Sequence, residues 1–93
     1  NYIPRFATML GLSDKVQVKA IKILRDIRLS DVTSGKGPTG VAAAAIYISA
    51  VLNDEKKTQR EIADVVGVTE VTIRNRFKEI VEKLGIAEKI ESK

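Results

Sequence analysis

The run from Val41 to Leu52 is apolar at every position except Ser49, and a helix with that pattern has no side to offer to water. At about twelve residues it is too short to span a bilayer, which needs ~20. Its place is therefore the centre of a core, with other helices packed round it. Pro38, just upstream, suits the first turn of such a helix. The consecutive alanines Ala42 to Ala45 let neighbouring helices come close where larger side chains would hold them apart. Tyr47 is expected to bury its ring while its hydroxyl reaches a partner or water.

The residues before this strut supply amphipathic partners. Ile3, Phe6, Ala7 and Leu10 recur at helical spacing after Pro4, which predicts a short helix over about 3–10, stopped by Gly11. Ser13 is a helix cap, followed by Asp14 near the positive end of the dipole. Val16, Ala20, Ile23, Leu24 and Ile27 then make a buried stripe, with Lys15, Lys19, Lys22 and Arg25 facing outward. Leu29 to Thr39 collects Ser, Asp, Thr, Gly and Pro, and reads as a loop. Gly35-Lys36 in that loop is not a phosphate-binding P-loop: Gly37 follows where Ser or Thr is needed, and the four-residue spacing and preceding strand are missing. Lys36 reads first as an exposed loop lysine, with contact to a phosphate as the alternative.

After the strut, Asn53 to Lys57 is a short polar loop. Thr58 and Glu61 form a capping box, in which each side chain satisfies one orphan backbone N–H. Ile62, Ala63, Val65 and Val66 give the helix that follows an apolar face, and Gly67 supplies the turn. Thr69 caps a longer helix from Glu70 to Leu84, with Ile73, Phe77, Ile80, Val81 and Leu84 on its inner side. Short helix, glycine turn, longer helix is the layout of a helix-turn-helix, at about 58–84. At 100° per residue Val71, Arg74, Asn75 and Lys78 fall on the outer side. Val71 has no folding reason to face water there. It suits a major groove, where an apolar side chain meets a thymine methyl and an arginine pairs two-pronged with guanine. The alternatives are a surface pairing of Arg74 with Glu70 or Glu79 and, for Asn75, simple solvation; Arg76 falls at the core edge and packs its stem. Gly85 to Lys93 is expected to be a short C-terminal tail.

The expectation is thus one all-α domain of five helices over residues 1–84, with no strand. With no Cys and no His among 93 residues, thiol chemistry, disulfides, Cys/His zinc sites and imidazole catalysis are excluded. No acid–base pair or nucleophile stands out either, so the reading is a non-enzyme without metal or cofactor, a small-molecule substrate or a membrane role. Sixteen Lys and Arg against twelve Asp and Glu give +4 and a pI near 9.5, compatible with a polyanionic partner. No secretory signal is visible, which points to a cytoplasmic, nucleoid-associated protein. The abrupt start at Asn1 suggests a piece of something longer.

Two strings carry a resemblance. Gly35-Lys36-Gly37-Pro38-Thr39-Gly40-Val41-Ala42-Ala43-Ala44-Ala45-Ile46-Tyr47 precedes Thr58-Gln59-Arg60-Glu61-Ile62-Ala63 and Val68-Thr69-Glu70-Val71-Thr72-Ile73-Arg74-Asn75-Arg76-Phe77. Over about Tyr2 to Leu84 the chain resembles the second cyclin-like repeat of archaeal transcription factor B, counterpart of the eukaryotic general factor IIB. The resemblance implies a five-helix cyclin-like fold whose last two helices bind the promoter just upstream of the TATA box. It implies base contacts from Val71 and Arg74, with Thr69, Thr72 and Lys78 against the DNA and Lys57, Thr58 and Gln59 facing phosphates; Asn75 is a supporting candidate from its place on the same outer face alone. The implied partners are double-stranded promoter DNA, TATA-binding protein and, through the full-length factor, RNA polymerase. The family's zinc ribbon and first repeat are not in this chain, and Phe77 stands where the family commonly has tyrosine. The other reading is a cyclin-like protein–protein interaction module without sequence-specific DNA binding.

Overall fold

The computed structural model describes residues 3–30, 37–55 and 57–91, and those residues form six helices and no strand. They are α1 (Ile3–Met9), α2 (Asp14–Ser30), α3 (Pro38–Leu52), α4 (Gln59–Val66), α5 (Glu70–Leu84) and α6 (Ala87–Glu91). Helix α3 is the axis of the assembly. Every residue from Gly40 to Ile46 is buried, as are Ile48, Ser49 and Ala50, and α1, α2, α4, α5 and α6 all pack on it. Its one buried hydroxyl, Ser49, donates to the Ala45 carbonyl at 2.7 Å, so no polar group is carried unpaired into the centre there. Tyr47 is half-buried, its ring edge-on to Phe77 with centroids 5.4 Å apart.

Helix ends account for much of the outline. The Thr58–Glu61 capping box has both bonds, Glu61 N–H to Thr58 Oγ1 at 3.0 Å and Thr58 N–H to Glu61 Oε1 at 3.1 Å. Those bonds favour the ionised carboxylate, and Glu61 titrates below the ordinary glutamate range as a result. Helix α4 then ends at Gly67, whose φ of +86° is left-handed. Its N–H and that of Val68 both reach the Ala63 carbonyl, which reverses the chain into α5.

The structure departs from expectation in three places. The predicted loop from Leu29 to Thr39 begins later, since α2 runs to Ser30, while α3 opens at Pro38 as the proline implied; residues 31–36, Lys36 among them, lie outside the described residues. The tail expected after Gly85 contains α6, a five-residue helix that turns Ile86 and Ile90 onto the core. Two isoleucines four apart are a helical signal too short to weigh in a sequence. Finally, Ser13 occupies the cap position of α2, its carbonyl accepting from Gln17 N–H, but its hydroxyl and its N–H both donate to the Glu55 carboxylate. In a local capping box the carboxylate sits three residues on. Here that position is Val16, fully buried, so Glu55 from the loop after α3 does the same work.

Candidate nucleic-acid interface

Two anchors fix the orientation of α5. Ile73 and Ile80 are fully buried against the core, and Phe77, Val81 and Leu84 are partly buried beside them. The opposite face is committed to solvent as a consequence. Val71 is 56% exposed, and Arg74, Asn75 and Lys78 are exposed with it. From Val71 to Lys78 they lie seven residue steps apart, about 10 Å of helix, within an arc of about 100°. A face of that length and width has the dimensions of about two turns of helix, which a major groove about 12 Å wide can admit.

The arginine on this face is unengaged. Among the described residues Arg74 makes no ion pair or hydrogen bond. Glu79, one of its two candidate partners, is held by Arg76 Nη2 at 2.8 Å. Arg76 itself is largely buried at the edge of the core, its stem packed near the start of α3. The first turn of α5 is rigid: Thr69 Oγ1 accepts from Thr72 N–H at 3.1 Å, and the Thr69 hydroxyl donates to Thr72 Oγ1 at 3.0 Å. Thr69 is exposed and Thr72 half-buried. In α4, Thr58 is exposed and Gln59 half-buried at its first turn; Lys57, just before, lies 3.9 Å from the Glu61 carboxylate, a surface pair worth little. The structure therefore brings Val71, Arg74, Asn75 and Lys78 to one face, with Thr69 and Thr72 at the start of the same helix. Lys57, Thr58 and Gln59 stand at the start of the preceding one.

One positioning residue was not legible in the sequence. Gly40, buried in the first turn of α3, lies against α5 so closely that a Cβ there would stand 2.7 Å from Thr72 Cγ2. A glycine after Pro-Thr reads as helix-start chemistry, and nothing local distinguishes one that admits a neighbour.

Comparison with known proteins concerns the chain as a whole. The family model described as "Transcription factor TFIIB repeat" matches residues 1–83. Over 86 residues, 92% of this chain, the sequence is 62% identical to the transcription initiation factor IIB of Archaeoglobus fulgidus. It is 60% identical over the same share to that of Methanoculleus marisnigri and 62% to that of Methanococcus aeolicus. In each case the match covers 26% of the relative, so the chain spans about a quarter of the length of the curated proteins it matches. With an all-helical core round α3, a helix-turn-helix at its end and a family match over nearly all its length, this chain belongs to the TFIIB repeat family and has its cyclin-like fold.

Proposed function

We propose that this chain is a promoter-reading module of a basal transcription initiation factor, which places the first turns of α5 in the major groove of the element just upstream of a TATA box. The observation that carries the reading is Val71, a branched apolar side chain 56% exposed on the first turn of α5 and next to an unengaged arginine. Val71 supplies an apolar base contact. Arg74 pairs with a guanine edge and contributes roughly 1–3 kcal/mol of discrimination. Lys78 and Lys57 attract phosphate irrespective of sequence, while Thr69, Thr72, Asn75, Thr58 and Gln59 fix the register on the backbone. The name borne by the relatives supports a role in initiation. Contact with TATA-binding protein and recruitment of RNA polymerase belong to the whole factor, in the cytoplasm beside the nucleoid.

A single module of this kind buries only about 600–1,000 Å² on DNA, so its unaided binding is weak. Cooperation with a protein that bends the adjacent DNA raises the effective concentration. The test is titration of the chain into two labelled duplexes that share a TATA box, one with an intact purine-rich upstream element and one with it scrambled, over a range of salt. The expected result is preference for the intact element, reduced by Arg74→Ala, with log K falling linearly against log salt. Equal binding to both duplexes, or none at low salt with TATA-binding protein present, overturns it.

A further inference from the structure

Helix α2 shows solvent a face that folding does not explain. Its buried stripe is Val16, Ala20, Ile23 and Ile27. On the far side Lys15, Lys22 and Arg25 are exposed and Lys19 is half-buried; among the described residues none of the four forms a salt bridge, although the charge of Lys15 acts on Glu55. Within that basic row Val18 is 68% exposed and Ile21 39%. Alongside it runs a groove between α2 and the ends of α5 and α6. Ile23, Leu84 and Ile86 give the groove an apolar floor, and Lys19, Lys22 and Lys89 stand on its walls, with Asp26 as an opposing charge. A shallower hollow continues it past Lys15 and Val18 to Asn53, with Asp14 at its edge.

We propose that this groove docks an acidic amphipathic helix of a partner protein, with carboxylates against the lysine walls and leucine-sized side chains on the floor and over Val18. The charge selects an anion, and the apolar floor selects which kind. A phosphate backbone meets the lysines but has nothing to place against Ile23, Leu84, Ile86 or the exposed Val18. An amphipathic helix meets both, through anchors at i, i+3 and i+4. Position points the same way. Leu84 stands thirteen residues beyond Val71, about 20 Å along α5, at the negative end of the helix dipole, where phosphates gain nothing. The groove is therefore open while the first turns of α5 are engaged, and the inference stands whether or not α5 reads DNA.

The test uses the 93-residue chain and a synthetic fluorescent helical peptide with glutamates at i and i+4 and leucines on one side. Two control peptides replace the glutamates with glutamine or the leucines with serine, and a duplex of arbitrary sequence serves as competitor. Expected are amide NMR shifts in α2, α6 and the last turn of α5, and binding weakened about tenfold or more by either peptide change and by the double variant Lys19→Glu/Lys22→Glu, since close complementary charges carry coupling of that size. Val18→Ser, at a position 68% exposed, weakens binding severalfold while the circular dichroism spectrum and duplex binding stay unchanged. The proposal is overturned by equal binding of the serine peptide, which means bulk electrostatics alone, or by shifts on the Val71–Lys78 face. Absence of binding at millimolar peptide overturns it too, as does displacement of the peptide from α2 by the duplex, which makes the face a backbone contact.

Discussion

Gly40 and Thr72 touch across two helices: the start of α3 meets the first turn of α5 because residue 40 has no side chain, and a Cβ there would stand 2.7 Å from the Thr72 γ-methyl. Thr72 cannot swing aside freely. It is β-branched and so stiff at χ1, and its N–H and hydroxyl are both bonded to Thr69.

Gly40→Ala is accordingly destabilising although alanine is the better helix former. Overpacking costs about 1–3 kcal/mol and the propensity gain returns about 1, for a net loss centred on about 1 kcal/mol, or a thermal midpoint lower by roughly 4–8 °C. Adding Thr72→Ser removes the methyl, keeps the hydroxyl and recovers most of the loss. Thermal melts of the two variants check this; failure of the serine to rescue means that another contact limits the approach.

Neighbouring residues of α5 separate stability from recognition. Val71→Ala and Arg74→Ala, both on the exposed face, change unfolding free energy by less than about 0.5 kcal/mol, yet Arg74→Ala lowers preference for the upstream element by roughly 1–3 kcal/mol. Ile73→Ala, one residue from Arg74 but fully buried, costs about 2–5 kcal/mol in stability. Urea titration beside duplex binding resolves the two classes.

The turn between α4 and α5 depends on Gly67, whose φ of +86° places any Cβ against the following backbone. Gly67→Ala costs about 1–2 kcal/mol, seen as a lower urea midpoint with the slope unchanged.

Acid sensitivity has two sources, the Thr58–Glu61 box and the pair Ser13 and Glu55. The hydroxyl and N–H of Ser13 both donate to the Glu55 carboxylate, and these bonds, with Lys15 nearby, hold Glu55 below the ordinary value of 4.5. A carboxylate whose folded pKa is depressed contributes stability that is whole above the unfolded pKa and is lost as pH falls through the folded one. The thermal midpoint therefore declines as pH drops below about 4.5. Glu55→Gln melts lower than the parent at neutral pH, and the two curves converge in acid. A gap that persists at about pH 2, well below the usual carboxylate range, rules this account out.

Much of the fold was legible because its signals are local. The Thr58–Glu61 box, the Gly67 turn and the α5 stripe from Ile73 to Leu84 each lie within a few residues, and the structure has all three. Periodicity alone also put Val71, Arg74, Asn75 and Lys78 on one face, since a helix fixes which residues share a side. What escaped was non-local. Glu55 caps a helix that begins 42 positions earlier, and Gly40 is shaped by a residue in another helix. The packing of α6 through Ile86 and Ile90 rests on only two side chains, fewer than a periodic pattern needs.

Because α3 is enclosed by helices that precede and follow it, the protein has no smaller folded version of itself. A chain ending after α3 leaves half of that helix facing water, with neither α4 nor α5 to cover it. The helices of the helix-turn-helix thus close the core as well as carry the exposed Val71–Lys78 face. A ribosome making this protein holds an uncovered apolar rod until α5 has emerged, and any truncation before Leu84 gives chaperones and proteases a sticky intermediate rather than a silent scaffold.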